Sequence, residues 1–164
     1  MRLPSMTFAA LVLAAAAPAL TEADRTYLSR DAQGAAYELA ISQIAQQKSA
    51  NASIRHYAAG IVADHEKYNA ALRQLAGSKG VTLPTALTFE QQQKLNALQN
   101  IKGDAFDAAY RREMVRINAD DQQEEGHELN ATKDPDIRRF IENFRQTDQT
   151  HMDDAKRLGV ATRP

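Results

Sequence analysis

The chain predicts an all-α protein in which four long helices run up and down in one bundle, with a long crossover between helices 2 and 3. Three observations carry this. Apolar residues recur at alternating steps of three and four through four separate stretches, the repeat of a helix face. The composition is rich in Ala, Gln, Glu and Lys, with only 6% aromatic residues and no Trp, which favours helices over a sheet. The joints inside the first and last pairs of stretches are short, so each pair forms antiparallel neighbours, whereas the middle joint is long enough to return along a helix.

The first helix runs from about Asp24 or Thr26 to Lys48. Its narrow stripe is Leu28, Ala32, Ala35, Leu39 and Ser42, widened at the end by Ile41, Ile44 and Ala45. Glu38 falls at the border of that stripe, an unusual place for a charge. The turn Ser49 to Ser53 follows, with Asn51 or Ser53 placed to cap the next free amides. In the second helix Ile54, Ala58, Ile61, Tyr68, Leu72 and Leu75 share a face, and His65 takes a place in that apolar series with Asp64 at its edge. Gly77 and Gly80 are expected to end it.

The crossover between Gly77 and Gly103 contains a short amphipathic piece, Glu90 to Asn100, with Thr88 as its cap. The third long helix opens with Asp104 as cap and runs to about Ala131. Phe106, Tyr110, Met114 and Ile117 make its apolar face, and the same line then turns acidic through Asp121, Glu124, Glu125 and Glu128, which reads first as a solvated helix end and otherwise as acids facing something other than apolar side chains. The fourth has the sharpest start, with Asp134 as N-cap, Pro135 at the first helical position and Asp136 in the first turn. Its stripe of Ile137, Phe140, Ile141, Phe144, Ala155 and Leu158 is interrupted by Asp148 and His151, and Gly159 closes it.

Met1 to Ala19 reads as a cleaved signal peptide. Arg2 supplies the basic start, Met6 to Ala17 the apolar run, and Ala17-Pro18-Ala19 the small-residue cleavage pattern. The run is too short to be a retained anchor. Residues 20–164 then form a single domain, periplasmic or secreted, with no stable membrane insertion. The absence of Cys leaves packing alone to stabilise it. Taking away Arg2 leaves 19 basic against 21 acidic side chains, a balance that invites neither nucleic acid nor an anionic membrane.

The segments YELAISQIAQQKS, IRHYAAGIVADHEKYNAALRQLAGSKGVTLP and FDAAYRREMV, with a late His before MDDAKRL, resemble the secreted bacterial ferritin-like family catalogued as domain of unknown function 4142. The resemblance spans about Leu28 to Leu158. It is most specific at Val62-Ala63-Asp64-His65 and at Lys79-Gly80-Val81-Thr82-Leu83-Pro84. It implies a ferritin-like bundle with Glu38 in the first helix, Asp64 and His65 in the second and His151 in the fourth. A further Asp-His-like step implied for the third long helix falls on Ile117 and Asn118, neither a strong metal ligand. Asp121 and Glu125 lie further along the Asn118 line and could substitute only in a site lower in the bundle.

The candidate metal site is therefore Glu38, Asp64, His65, Asp148 and His151, side chains from facing helices whose mixed nitrogen and oxygen donors suit iron, manganese, zinc or copper. The competing reading is a non-catalytic periplasmic or envelope-associated stress or binding module in which these residues are a structural hydrogen-bond network, with each His satisfied by a neighbouring acid. Glu124-x-x-His127 has a di-iron spacing but lies beside Gly126 in the polar stretch, where chance explains it. His56 and His127 belong to no stripe. Tyr57, Tyr68 and Tyr110 read as core residues with a polar handle. With no Ser-His-Asp order, phosphate loop, basic aromatic patch or solenoid repeat, no catalytic residue is assigned and the reading leans away from an enzyme.

Overall fold

The computed structural model describes residues 19–158 and holds five α-helices: α1 (Glu22–Lys48), α2 (Ala52–Ser78), α3 (Phe89–Asn100), α4 (Gly103–Ala131) and α5 (Pro135–Arg157). The described residues contain no strand. The leader expected at Met1 to Ala19 lies outside them apart from Ala19, as do Gly159 and the tail.

The caps explain the helix boundaries. Thr21 starts α1 earlier than the stripe suggests, because its hydroxyl accepts from the Asp24 amide at 3.1 Å while the Asp24 carboxylate accepts from the Thr21 amide at 2.7 Å. Asn51 caps α2 by accepting from the Ser53 and Ile54 amides. Gly77 stays helical, and the chain leaves α2 at Gly80, whose φ of +66° lets the Val81 amide reach back to the Ala76 carbonyl at 2.9 Å. Thr88 and Gln91 form a capping box at α3. At α4 the expected cap fails: the N-cap position is Lys102, without a side-chain bond, and Asp104 sits in the first turn, where its charge still suits the helix dipole. Asp134 and Pro135 open α5 as expected.

α1 packs antiparallel to α2 and α4 antiparallel to α5, while α1 also meets α4 and α2 meets α5, so the four long helices form a ring of neighbours. The crossover carries α3 along the outside of α1 and α4. It is fastened by Lys48, which donates to the Ile101 carbonyl at 2.7 Å. At the far end Lys79 joins α2 to α5 through Asp134 at 2.6 Å and Asp136 at 2.7 Å.

The apolar core is in two pieces. One surrounds Tyr37, Ile41, Ile61, Phe106, Tyr110 and Met114, near the α1–α2 turn. The other surrounds Leu28, Ala35, Tyr68, Leu72, Ile137 and Ile141, near the α4–α5 turn. Between them the helices contribute Glu38, His65 and His151, all buried, together with acids of α4. Among the described residues no helix is long and apolar enough to cross a membrane.

Because Ile41 is fully enclosed, Ile41→Ala should destabilise the protein by about 2–5 kcal/mol. Phe89, by contrast, is 80% exposed, and Phe89→Ala should stay within about 0.5 kcal/mol of wild type. Urea unfolding of both variants measures the contrast, and equal losses would contradict this division of the core.

Candidate functional site

The polar layer arises from helical spacing. Asp24, Asp31 and Glu38 are seven residues apart on α1, and Asp121, Glu125 and Glu128 follow one another at four and three on α4. Packed antiparallel, these two faces set acid against acid. α2 adds His65 and Tyr68, and α5 adds Asp148. They ring a cavity of about 20 Å³, room for one water or one bare ion, walled by Tyr27, Asp31, Glu38, His65, Asp121 and Glu125 together with Ala35, Tyr68, Glu124 and Asp148.

His65 Nε2 lies 3.6 Å from Glu38 Oε1, with both side chains out of solvent. Burial alone would make the imidazole less basic, but attraction to Glu38 outweighs it and leaves His65 above its ordinary value. Burial likewise opposes ionisation of Glu38, yet the facing imidazolium and a bond from Asp121 bring its carboxyl below the usual range. Asp121 is pushed well up, first by burial and then by the Glu38 charge, which favours its protonated form.

A second row crosses from α4 to α5. Burial, and then the partner Asp148, pushes Glu125 up to about 9, and burial also raises Asp148. Asp31 is pushed up by burial to about 7, although the Tyr68 hydroxyl donates to its Oδ1 at 2.6 Å. Six cavity-wall atoms have no hydrogen-bond partner among the described residues: Tyr27 OH, Asp31 Oδ2, Glu38 Oε2, His65 Nδ1, Glu125 Oε2 and Asp148 Oδ2. For Glu38, Glu125 and Asp148 the facing group is another carboxyl, so a shared proton or a cation has to lie between the acids.

Of the five residues proposed from the sequence, Glu38, His65 and Asp148 wall this cavity. Asp64 and His151 do not. They pair with each other at 3.3 Å in the neighbouring groove between α2 and α5, where Asp64 is partly exposed and also bonds Lys67. The His151 ring stacks on His65 with centroids 5.9 Å apart, which joins the two places. Asn118, at the departure from the family pattern, is buried and turned back to donate to the Met114 carbonyl at 2.8 Å.

The solvated end expected at Asp121, Glu124, Glu125 and Glu128 is corrected by the structure. Glu125 and Glu128 are buried and Asp121 walls the cavity, because α4 remains packed on α1 and α5 along its whole second half. Asp31 was missed, although its spacing of seven from Glu38 was visible. Among the described residues no group of three or more His, Asp and Glu side chains stands arranged as a ready cation cage. The donors surround the cavity with carboxyl facing carboxyl.

The family described as domain of unknown function DUF4142 matches residues 10–158. The chain belongs to that family. Its fold is also similar to that of a DUF305 fragment from Deinococcus radiodurans, with a TM-score of 0.76 over 87% of this chain and 99% of that one, at 15% sequence identity. Identity that low carries the helical fold alone. No curated protein matches.

The buried acids set a pH dependence. A carboxyl with a raised folded-state pKa folds carrying a proton that the unfolded chain releases above about pH 4, so its stability is lost between that pH and the folded value. Glu125 at about 9, with Asp31 and Glu128 at about 7, therefore weakens the fold from about pH 4 up to 9. His65, raised, adds loss in the same direction above its unfolded value near 6.5. Glu38, lowered, matters only in acid, below about pH 4.5. In chelator-treated protein Tm should fall by several degrees from pH 5.5 to 8.5, and scanning calorimetry showing a flat or rising Tm would contradict the assignment.

Proposed function

We propose that this protein is an exported ferritin-like bundle whose mid-core cavity binds a divalent transition metal ion. The observation that carries the reading is the ring of unpartnered, buried carboxyl oxygens from Asp31, Glu38, Glu125 and Asp148 around one ion-sized space, with the His65 imidazole beside them. The element order supports the ferritin-like arrangement: two antiparallel pairs joined by a long crossover, with polar donors projecting into the centre. The basic start, apolar run and cleavage pattern of Met1 to Ala19 support export to the periplasm or beyond, with residues 20–164 as the mature domain.

The donor chemistry narrows the metal. The cavity wall offers carboxylates from α1, α4 and α5, one imidazole from α2 and no sulfur, a set that suits manganese or iron(II) rather than copper(I). Asp31, Glu38, Asp121, Glu125, Asp148 and His65 are the residues that would hold the ion, and it would supply the positive charge that protons shared between facing carboxyls would otherwise supply. Those shared protons also favour the structural reading, in which the polar layer only fixes the register of the helices.

Binding to the mature chain after chelator treatment separates the two. About one Mn²⁺ per chain should bind, and at a free concentration near 100 times Kd it should stabilise the fold by about 2.7 kcal/mol. The double variant Glu38→Gln/Asp121→Asn should fold without that gain. Wild type that shows neither bound Mn²⁺ nor bound Fe²⁺, with an unchanged Tm, would leave only the structural role.

A further inference from the structure

We propose that metal ions enter the cavity through the seam between α1 and α4, past Gly34, an access route that rests on the metal-binding reading above. Two grooves share walls with the cavity. The α1–α4 groove, about 190 Å³, is lined by Asp121 and Glu124 of the cavity wall, by Gly34, Asp120, Arg30 and Arg116, and on the crossover side by Thr88 and Gln91 at the start of α3. The α2–α5 groove, about 170 Å³, shares His65, Tyr68 and Asp148.

The two differ in what stands between solvent and the acids. On the α2–α5 side aromatic rings line the way: His65 and His151 stack at 5.9 Å, and Tyr68 meets Phe144 at 4.8 Å. The Lys67 ammonium, 3.1 Å from Asp64, adds a positive charge there. On the α1–α4 side the position facing Asp121 is a glycine. A Cβ on Gly34 would lie 3.7 Å from Asp121 Oδ1, and no other atom beyond its own helix backbone lies within 4 Å of that point. Gly34 therefore leaves the space over the Asp121 carboxyl open, and any longer side chain there would lie across it.

The outer charges suit capture of a hydrated cation. Asp120 and Glu124 are both substantially exposed; Asp120 is held by the Arg116 guanidinium of its own helix, whereas Arg30 meets Glu124 only loosely, at 3.7 Å and largely in solvent. So weak a pair opens readily. An ion that displaces Arg30 from Glu124 then finds Asp121 one helical turn earlier on α4, and Asp121 is itself a wall of the cavity. Glycine disfavours a helix interior, so replacing it here should not threaten folding.

The test is the rate of Mn²⁺ uptake by chelator-treated mature protein, followed by loss of the free-ion EPR signal. Gly34→Leu should load roughly tenfold more slowly than wild type, as expected of a raised entry barrier, with the same final stoichiometry. Thr147→Leu, on the α2–α5 seam, should load at the wild-type rate. Circular dichroism and Tm confirm that both variants are folded, and Gly34→Ala, in ordinary contact with Asp121, supplies a smaller obstruction that should slow uptake less than Leu. Gly34→Leu loading as fast as wild type, or slow loading by Thr147→Leu alone, would overturn the route while leaving metal binding intact. Loss of stoichiometry in Gly34→Leu would also overturn it, by making position 34 part of the site rather than its entrance. Wild type that takes up no Mn²⁺ would remove the metal-binding reading and the route together.

Discussion

The facing of Glu38 and His65 across the middle of the bundle is the interaction on which the rest of the site depends. Two ionisable groups removed from water cost several kcal/mol each in lost hydration, and their attraction offsets this only when further hydrogen bonds complete the arrangement. Here the further partner is Asp121, whose carboxyl is pushed up by burial and then by the Glu38 charge beside it. Removing one member would leave the others as buried charges or acids without a partner. The apolar clusters on either side supply the burial that holds such a layer in place.

The antiparallel register of α1 and α4 decides which acids meet. The same pairing that sets the Ser42 hydroxyl 2.8 Å from Tyr110 OH brings Glu38 toward Asp121 and Asp24 toward Glu128. At the Asp24 end the arrangement resolves into structure: Thr132 donates to Asp24 at 2.6 Å, and Asp24 also closes the cap of α1. In the middle it does not, and oxygens of Asp31, Glu38, Glu125 and Asp148 are left around a space of ionic size. One acidic face thus serves as helix cap at one end and as donor ring at the centre. The similarity to the DUF305 fragment concerns the helical scaffold that makes such a layer possible and says nothing of its donors.

Much of the helical framework was legible in the sequence because its causes are local. Asp134-Pro135, Thr88 with Gln91, and Asn51 are caps that need only neighbouring amides, and the stripes of α2 and α5 follow from a fixed period. Local signals misled where the backbone could manage without them, as at Asp104, which lies inside the first turn of an α4 whose start has no side-chain cap.

The sequence by itself determined an all-helical chain, the place of His65 and His151 on apolar stripes with Glu38 at the border of another, the short joints that pair the helices, and the long crossover between the two pairs. It left the destination of each polar side chain open, because burial of an acid depends on what faces it across the bundle. Only the tertiary packing took Asp121, Glu125 and Glu128 from an apparent solvated end into the core, added Asp31 to them, and placed Asp64 and His151 in the adjoining α2–α5 groove rather than in the cavity wall. The physical reason is that helical period is encoded along one chain, whereas desolvation and the sharing of a proton between carboxyls belong to pairs of residues up to about a hundred positions apart, as at Asp24 and Glu128.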